Sequence, residues 1–139
     1  GLGQAVAKVF RDQGEPVGYI EGTDWNAALG VGIRYGRGTL IMKDGETRPV
    51  HWQSPSFGFN TGANASKVFT LVYGLGNPDA IYRRYPGVEG SAFFIAGASA
   101  TYQKAEGVTL APIRTGVGMQ LGASVGYYAY SRNRRLNPF

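Results

Sequence analysis

Hydrophobic and polar positions alternate along most of this chain, and the alternation is longest from Leu110 to Tyr130, LAPIRTGVGMQLGASVGYYAY. The odd positions, from Ala111 and Ile113 through Val117, Met119 and Leu121 to Ala129, make an almost wholly apolar row. The even positions, among them Arg114, Gly116, Gly118, Gln120, Gly122, Ser124 and Gly126, make a row dominated by glycine. Successive side chains on a strand point to opposite faces, so a period of two predicts a strand with one greasy and one bare face. At the usual rise such a run would span about 60 Å, too long for one flat strand in a small domain. Glycines at 116, 118, 122 and 126 are where it is expected to bend. A long, kinked, two-faced strand suits a small barrel.

The rest of the chain repeats this grammar with few exceptions. Leu2, Ala5, Val6, Val9 and Phe10 fall at helical spacing opposite Gln4, Lys8, Arg11 and Asp12, and Gly14 and Pro16 stop the pattern. This predicts a short amphipathic helix, laid on a sheet or plugging an open end. From Val17 onward strands take over. Ala27, Leu29, Val31, Ile33 and Tyr35 form one face, and Ala28, Gly30, Gly32, Arg34 and Gly36 the other. The segment GVGIRYG at 30–36 is echoed by GVGMQLG at 116–122, which points to two strands with similar packing rather than a solenoid repeat.

Thr39 to Met42 reads as a strand, Lys43-Asp44-Gly45-Glu46 as a hairpin tip, and Pro49 to Gln53 as the return. Phe57-Gly58-Phe59 is a further strand piece, Asn64 starts a brief turn, and Val68 to Leu75 is strand-like. Asn77 and Pro78 are expected to cap and open a short helix over 78–85. Glu89 to Gln103 reads as a second long strand, joined by a tip near Lys104–Gly107 to the run at Leu110. The sum is a mainly β chain: a small antiparallel β-barrel of roughly eight to ten strands in hairpin order. A short N-terminal helix and one further short helix complete it, in a single domain over 1–139.

Composition narrows the partners. The 139 residues include 22 glycines without a Gly-X-Y period, which excludes collagen and fits many bends and turns. Lys and Arg number 14 against 9 Asp and Glu, and the pI near 9.6 favours anionic partners, whether nucleic acid, phospholipid head groups or lipopolysaccharide, among which charge alone does not choose. Cysteine is absent, so no disulfide framework, thiol nucleophile or zinc–thiolate site is available. No apolar run is long enough for a membrane helix.

The catalytic motifs fail on context. Gly122-Ala123-Ser124-Val125-Gly126 matches a nucleophile elbow, but it lies inside a strand pattern and the single histidine, His51, precedes it. His51 reads as a surface or edge residue, and one histidine without cysteine leaves no metal site or cofactor to expect. Glu89 and the pair Glu21 and Asp24 are the carboxylates in suggestive settings, and Glu89 is expected to pair with Arg83, Arg84 or Arg114. GVGIRYG lacks the spacing of a dinucleotide loop. The Arg132–Arg135 tail is read as solvated, and nucleic acid is not expected as a partner. Counting back by twos from Phe139 gives Asn137, Arg135 and Asn133, which cannot face lipid, so an integral outer-membrane barrel is excluded.

The segments WQSPSFGFNTGANASKVFTLVYGL (Trp52–Leu75), YRRYPGVEGSAFF (Tyr82–Phe94), LAPIRTGVG (Leu110–Gly118) and the terminal Asn137-Pro138-Phe139 closely resemble one family. It is the alphaproteobacterial envelope integrity protein A family, and the resemblance runs over nearly the whole chain. The family pattern has Gly at the position of Ser54 and Asp at that of Asn60. The resemblance implies a periplasmic, non-enzymatic protein made with a cleaved signal peptide, and a small antiparallel barrel with a hydrophobic pore, similar to SYLF-type lipid-binding domains. The expected function is upkeep of the cell envelope by binding a lipid, a lipopolysaccharide-related molecule or another apolar ligand. Strand phase nominates Val31, Ile33, Phe57, Phe59, Leu71, Tyr73, Phe93, Ile95, Val117, Met119 and Leu121 as its lining. The alternative is a solid-core module that docks on an anionic membrane surface or on partner proteins.

Overall fold

A computed structural model describes residues 1–58, 63–115 and 127–134, with 26–31, 56–58, 63 and 64 described by backbone alone. The described residues form one helix, nine strands and a 3-10 turn. The helix α1 (Leu2–Gln13) buries Ala5 and Val9, as its spacing predicts. It ends at Gly14, whose φ of 86° is a left-handed value that glycine adopts without a Cβ clash.

The longest element is β1 (Gly18–Met42), a 25-residue strand that serves two neighbours. Its first part pairs antiparallel with β3 (Ala63–Tyr73), from Gly18↔Val72 to Ala27↔Ala63. Its second part pairs with β2 (Thr47–Gly58), from Gly30↔Gly58 to Ile41↔Thr47. Between these parts the strand folds back until its own inner faces touch. A Cβ on Gly22 would lie 2.2 Å from the Arg37 carbonyl oxygen, and one on Gly38 would lie 2.3 Å from that of Glu21. Only glycine allows this approach. At the open ends the Lys43 amide donates to the Val17 carbonyl at 2.9 Å.

Asp44-Gly45 makes the expected tip between β1 and β2. Gly45 has φ 93°, and the Asp44 carboxylate accepts from the Glu46 amide at 2.9 Å. The remaining strands are β4 (Arg84–Pro86), β5 (Phe93–Ile95), β6 (Ala98–Ala100), β7 (Gln103–Ala105), β8 (Val108–Thr115) and β9 (Tyr127–Ser131). The sheet order is β4-β9-β2-β1-β3-β8-β6-β5, all antiparallel, with β7 also on β8. A bridge between Gly87 and Gln103 draws β4 toward β7, so the sheet curls into a barrel-like shell.

Four local expectations are corrected. The run from Glu89 to Gln103 is not one strand but the hairpin β5–β6 followed by β7. Ala96 and Gly97, at φ 48° and 85°, reverse the chain between Ile95 and Ala98. The helix over 78–85 shrinks to a 3-10 turn at Pro78–Ile81, with Asn77 capping the Asp79 amide at 2.9 Å. Residues 84–86 are claimed by the sheet instead, where Tyr85 pairs with Tyr128. Asn64 lies within β3, paired with Asn26, rather than at a turn.

The fourth correction concerns which face is inside. On β1 the buried row is Ile20, Asp24, Arg34, Gly36, Leu40 and Met42, the row that carries the glycines. The bare face turns inward because the two parts of β1 could not meet otherwise. Its inner core joins Ile20, Leu40, Val50, Trp52, Val68, Val72, Leu110, Tyr85, Tyr128 and Tyr130. The other face is covered by α1, where Ala5 and Val9 pack with Leu71, Ala98, Ala100, Ala111 and Ile113. The apolar row at 117–125 and the echo at 116–122 lie outside the described residues.

Candidate functional site

Two regions stand out, one on each face of the sheet. Inside, Asp24 is wholly buried among Arg34, Arg114, Trp52 and Tyr128. The fold-back of β1 brings Arg34 to Asp24 across ten positions, and β8 delivers Arg114 from the same even row as Leu110 and Pro112. Arg114 donates from Nε to Asp24 Oδ2 at 3.0 Å, and its Nη2 lies 2.9 Å from the same oxygen. Arg34 Nη1 reaches Oδ1 at 3.4 Å, and the Trp52 indole N–H donates to Oδ2 at 3.3 Å. Trp52 can lie there because Gly36, its partner in register, has no side chain; a Cβ would sit 2.4 Å from the indole.

Arg114 also donates to the Tyr128 hydroxyl and places its guanidinium 5.1 Å from that ring. Burial works against the Arg114 charge, but Tyr128 and Asp24 beside it outweigh that cost and raise its pKa. Burial in turn pushes the Tyr130 hydroxyl far up, so it stays neutral. The rings of Trp52, Tyr85, Tyr128 and Tyr130 form a connected stack with centroids 5.5 to 6.4 Å apart.

Outside, α1 lies over a looser apolar surface. Tyr19, Phe69, Tyr73, Phe93, Ile95 and Tyr102 are partly buried against the helix-covered cluster. Where the helix ends, a groove of about 420 Å³ opens between Phe10, Pro16, Tyr19, Ile41 and Met42, with Glu15 and Lys43 at its rim. Glu15 and Lys43 pair at 2.8 Å, and the lysine holds the carboxyl below its usual range. Phe10 is 42% exposed, and Phe94 at the β5–β6 hairpin is 61% exposed.

The sequence-predicted lining divides accordingly. Leu71, Tyr73, Phe93 and Ile95 come together, but beneath α1 and not inside the shell, because Val68, Thr70 and Val72 take the inward positions of β3. Ile33 is half-buried on the face of β1 opposite Arg34. The side chains of Val31 and Phe57, and the whole of Phe59, Val117, Met119 and Leu121, lie outside the described residues. So does Ser124.

Other candidates resolve more simply. Glu89 is exposed and has no ion pair among the described residues; the partner of Arg114 is Asp24. His51 Nδ1 lies 3.3 Å from the Arg132 carbonyl, beside a polar hollow of about 380 Å³ that also touches Trp25 and Arg37. Arg132 is not merely solvated: it meets Asp79 at 2.9 Å and lies 4.7 Å from the Tyr82 ring. Among the described residues no cluster of His, Asp or Glu could hold a metal ion, and no helix is long and apolar enough to cross a membrane. The buried charge cluster was only half visible in the sequence. Asp24 stands in a suggestive acidic pair, but Arg34 points inward only because the glycine row of β1 faces in.

A curled antiparallel shell, an aromatic inner core and an apolar face under one helix define a small barrel-like protein without a recognisable catalytic constellation among the described residues. The chain belongs to the envelope integrity protein A family, whose model matches residues 1–139. It is 42% identical to a beta-barrel-like, uncharacterized protein from Brucella abortus of known crystal structure. That likeness covers 100% of this chain and 86% of the other, with a TM-score of 0.86. No curated protein matches the chain. The family ties the protein to the cell envelope, and no enzyme family is indicated.

Proposed function

We propose that this protein acts in the periplasm, without catalysing a reaction, by holding a lipid or similar apolar molecule during upkeep of the envelope. The observation that carries this reading is the groove at the end of α1. Its size lies within the usual range for small-molecule sites, and its walls are mostly apolar. Tyr19 belongs both to the groove and to the surface beneath the helix, so the two form one continuous apolar tract. An acyl chain laid in the groove would extend toward Tyr73, Phe93 and Ile95, and α1 would cover it.

Native mass spectrometry of protein purified from its own envelope tests this. A co-purifying acyl species near one-to-one occupancy is expected, and Ile41→Trp, which fills the groove from a half-buried position, should abolish it while the fold survives. Unchanged uptake by folded Ile41→Trp protein would sink the assignment. A second reading, a solid-core module that docks on anionic envelope surfaces, is favoured by the aromatic stack packed in the inner core. Vesicle binding that falls steeply with salt and ignores acyl length would select it.

A further inference from the structure

The inner cluster does not balance its charge. Two guanidinium groups face one carboxylate, which leaves one positive charge in excess. Arg34 is 6% exposed, Arg114 8% and Asp24 0%, so the imbalance is held almost entirely out of water. No other acidic side chain relieves it. The chain has 9 Asp and Glu residues, all among the described residues, and Asp24 is the single buried one.

Nor do the two arginines share Asp24 evenly. Arg114 contacts it with two nitrogens at 2.9 and 3.0 Å, whereas Arg34 contributes one long contact at 3.4 Å. The Nε–H of Arg34 is buried and has no hydrogen-bond partner among the described residues. An unpartnered donor on a buried, half-neutralised cation is costly in both respects, through desolvation and through the lost hydrogen bond. The Trp52 N–H beside it is a further donor and supplies no negative charge.

We propose that Arg34, backed by Arg114, forms a binding site for one anionic oxygen group, a carboxylate or a phosphate, inside the shell. The Nε and Nη edge of a guanidinium presents two parallel N–H groups, the fork that such groups accept in bidentate fashion. A monoanion would cancel the surplus charge and satisfy the orphan donor together. What exposure the cluster keeps belongs to the arginines and not to Asp24, so an anion arriving from solvent meets the cations first. The site is separate from the groove at α1 and does not depend on an apolar ligand occupying it. The anion's source, a free ion or the head group of a lipid, is left for the measurement to separate.

The test uses Trp52 as reporter, since its indole donates to the same carboxylate. The full chain is titrated with sodium acetate, sodium phosphate, oleate and, as the neutral control, monoolein, following Trp fluorescence and melting temperature. Acetate or phosphate should raise the melting temperature in a concentration-dependent way. If the natural source is a lipid head group, oleate binds more tightly than acetate and monoolein leaves the Trp52 signal unchanged.

Arg34→Met should weaken anion binding about tenfold to a hundredfold, the loss expected for hydrogen bonds to a charged group. Its melting temperature without anion should be equal to the native value or higher, because Asp24 keeps Arg114 and the surplus charge is gone. Arg34→Lys keeps the charge without the fork and is expected to fold and to bind with intermediate strength. A native protein indifferent to acetate, phosphate and oleate would overturn the proposal. So would anion effects of equal size in native, Met and Lys proteins, or a Met variant destabilised in anion-free buffer as a purely structural arginine would be. Oleate and monoolein bound equally, with no response to acetate or phosphate, would remove the anion site and leave the apolar groove standing.

Discussion

The two faces of the curled sheet are held by different physics. The inner cluster around Asp24 depends on direction: four donor groups, from Arg34, Arg114 and Trp52, converge on two oxygens in a nearly dry setting. The outer face under α1 depends on area: Ala5 and Val9 supply the buried contacts, and the surrounding aromatics stay half-exposed. A directional network fails abruptly when its hub, here Asp24, is lost, whereas an area contact weakens by degrees and can readjust. The inner face is thus suited to fixing the shape of the shell, and the outer face to readjusting.

Substitutions at each face put this contrast to work. Asp24→Asn strands two buried cations and should cost about 3–5 kcal/mol, read by urea denaturation. A loss below ~1 kcal/mol would mean that the network is not a unit. Leu71→Ala on the outer face should cost about 2–3 kcal/mol, in the lower part of the range for buried leucines because the helix can settle. Gly38→Ala probes the seam between the two parts of β1, where the new Cβ meets backbone rather than a yielding side chain. About 1–3 kcal/mol of destabilisation is expected, with a weakened Trp52 environment by near-ultraviolet circular dichroism.

The smallest effects come from pH. Burial pushes both Tyr85, on the inner face, and Tyr102, on the outer, up to about 12 from 10.0; Asp12 reinforces the shift at Tyr102. Stability from these neutral phenols is complete below pH 10 and is lost as pH rises from there toward about 12. In acid the ion pairs around α1 should weaken. Asp12 is held below its ordinary value by the Lys8 hydrogen bond, and Glu15 by that from Lys43. Their contribution is present above the normal carboxylate range and fades as pH falls beneath it, so amide exchange in α1 should rise before the Trp52 signal changes.

Much of the fold was legible in the chain. The helix at Leu2–Gln13, the Asp44-Gly45 tip and the antiparallel hairpin order follow from spacing and turn chemistry that act locally. The direction of the faces was not legible, because hydrophobicity suggests that the apolar row of β1 points inward. Backbone contact between Gly22 and Gly38, 16 positions apart, reverses that choice. Arg34 shares the glycine row, so its inward direction follows from the same contact. The division of Glu89–Gln103 escaped notice because Ala96, at φ 48°, occupies a turn position that residue type does not advertise.

The way β1 serves two partners also sets an order of assembly. Its pairing with β2 closes over the four residues 43–46 and can form early, since loop closure there costs little entropy. The contact between Arg114 and Asp24 spans 90 positions and must await β3 and β8. Gly45→Ala, at φ 93°, is therefore expected to slow folding, whereas Arg114→Gln should chiefly speed unfolding, both measurable by stopped-flow chevrons. Until that last step the three charges remain in water. The shell shuts over its own ions only when the rest of the chain is in place.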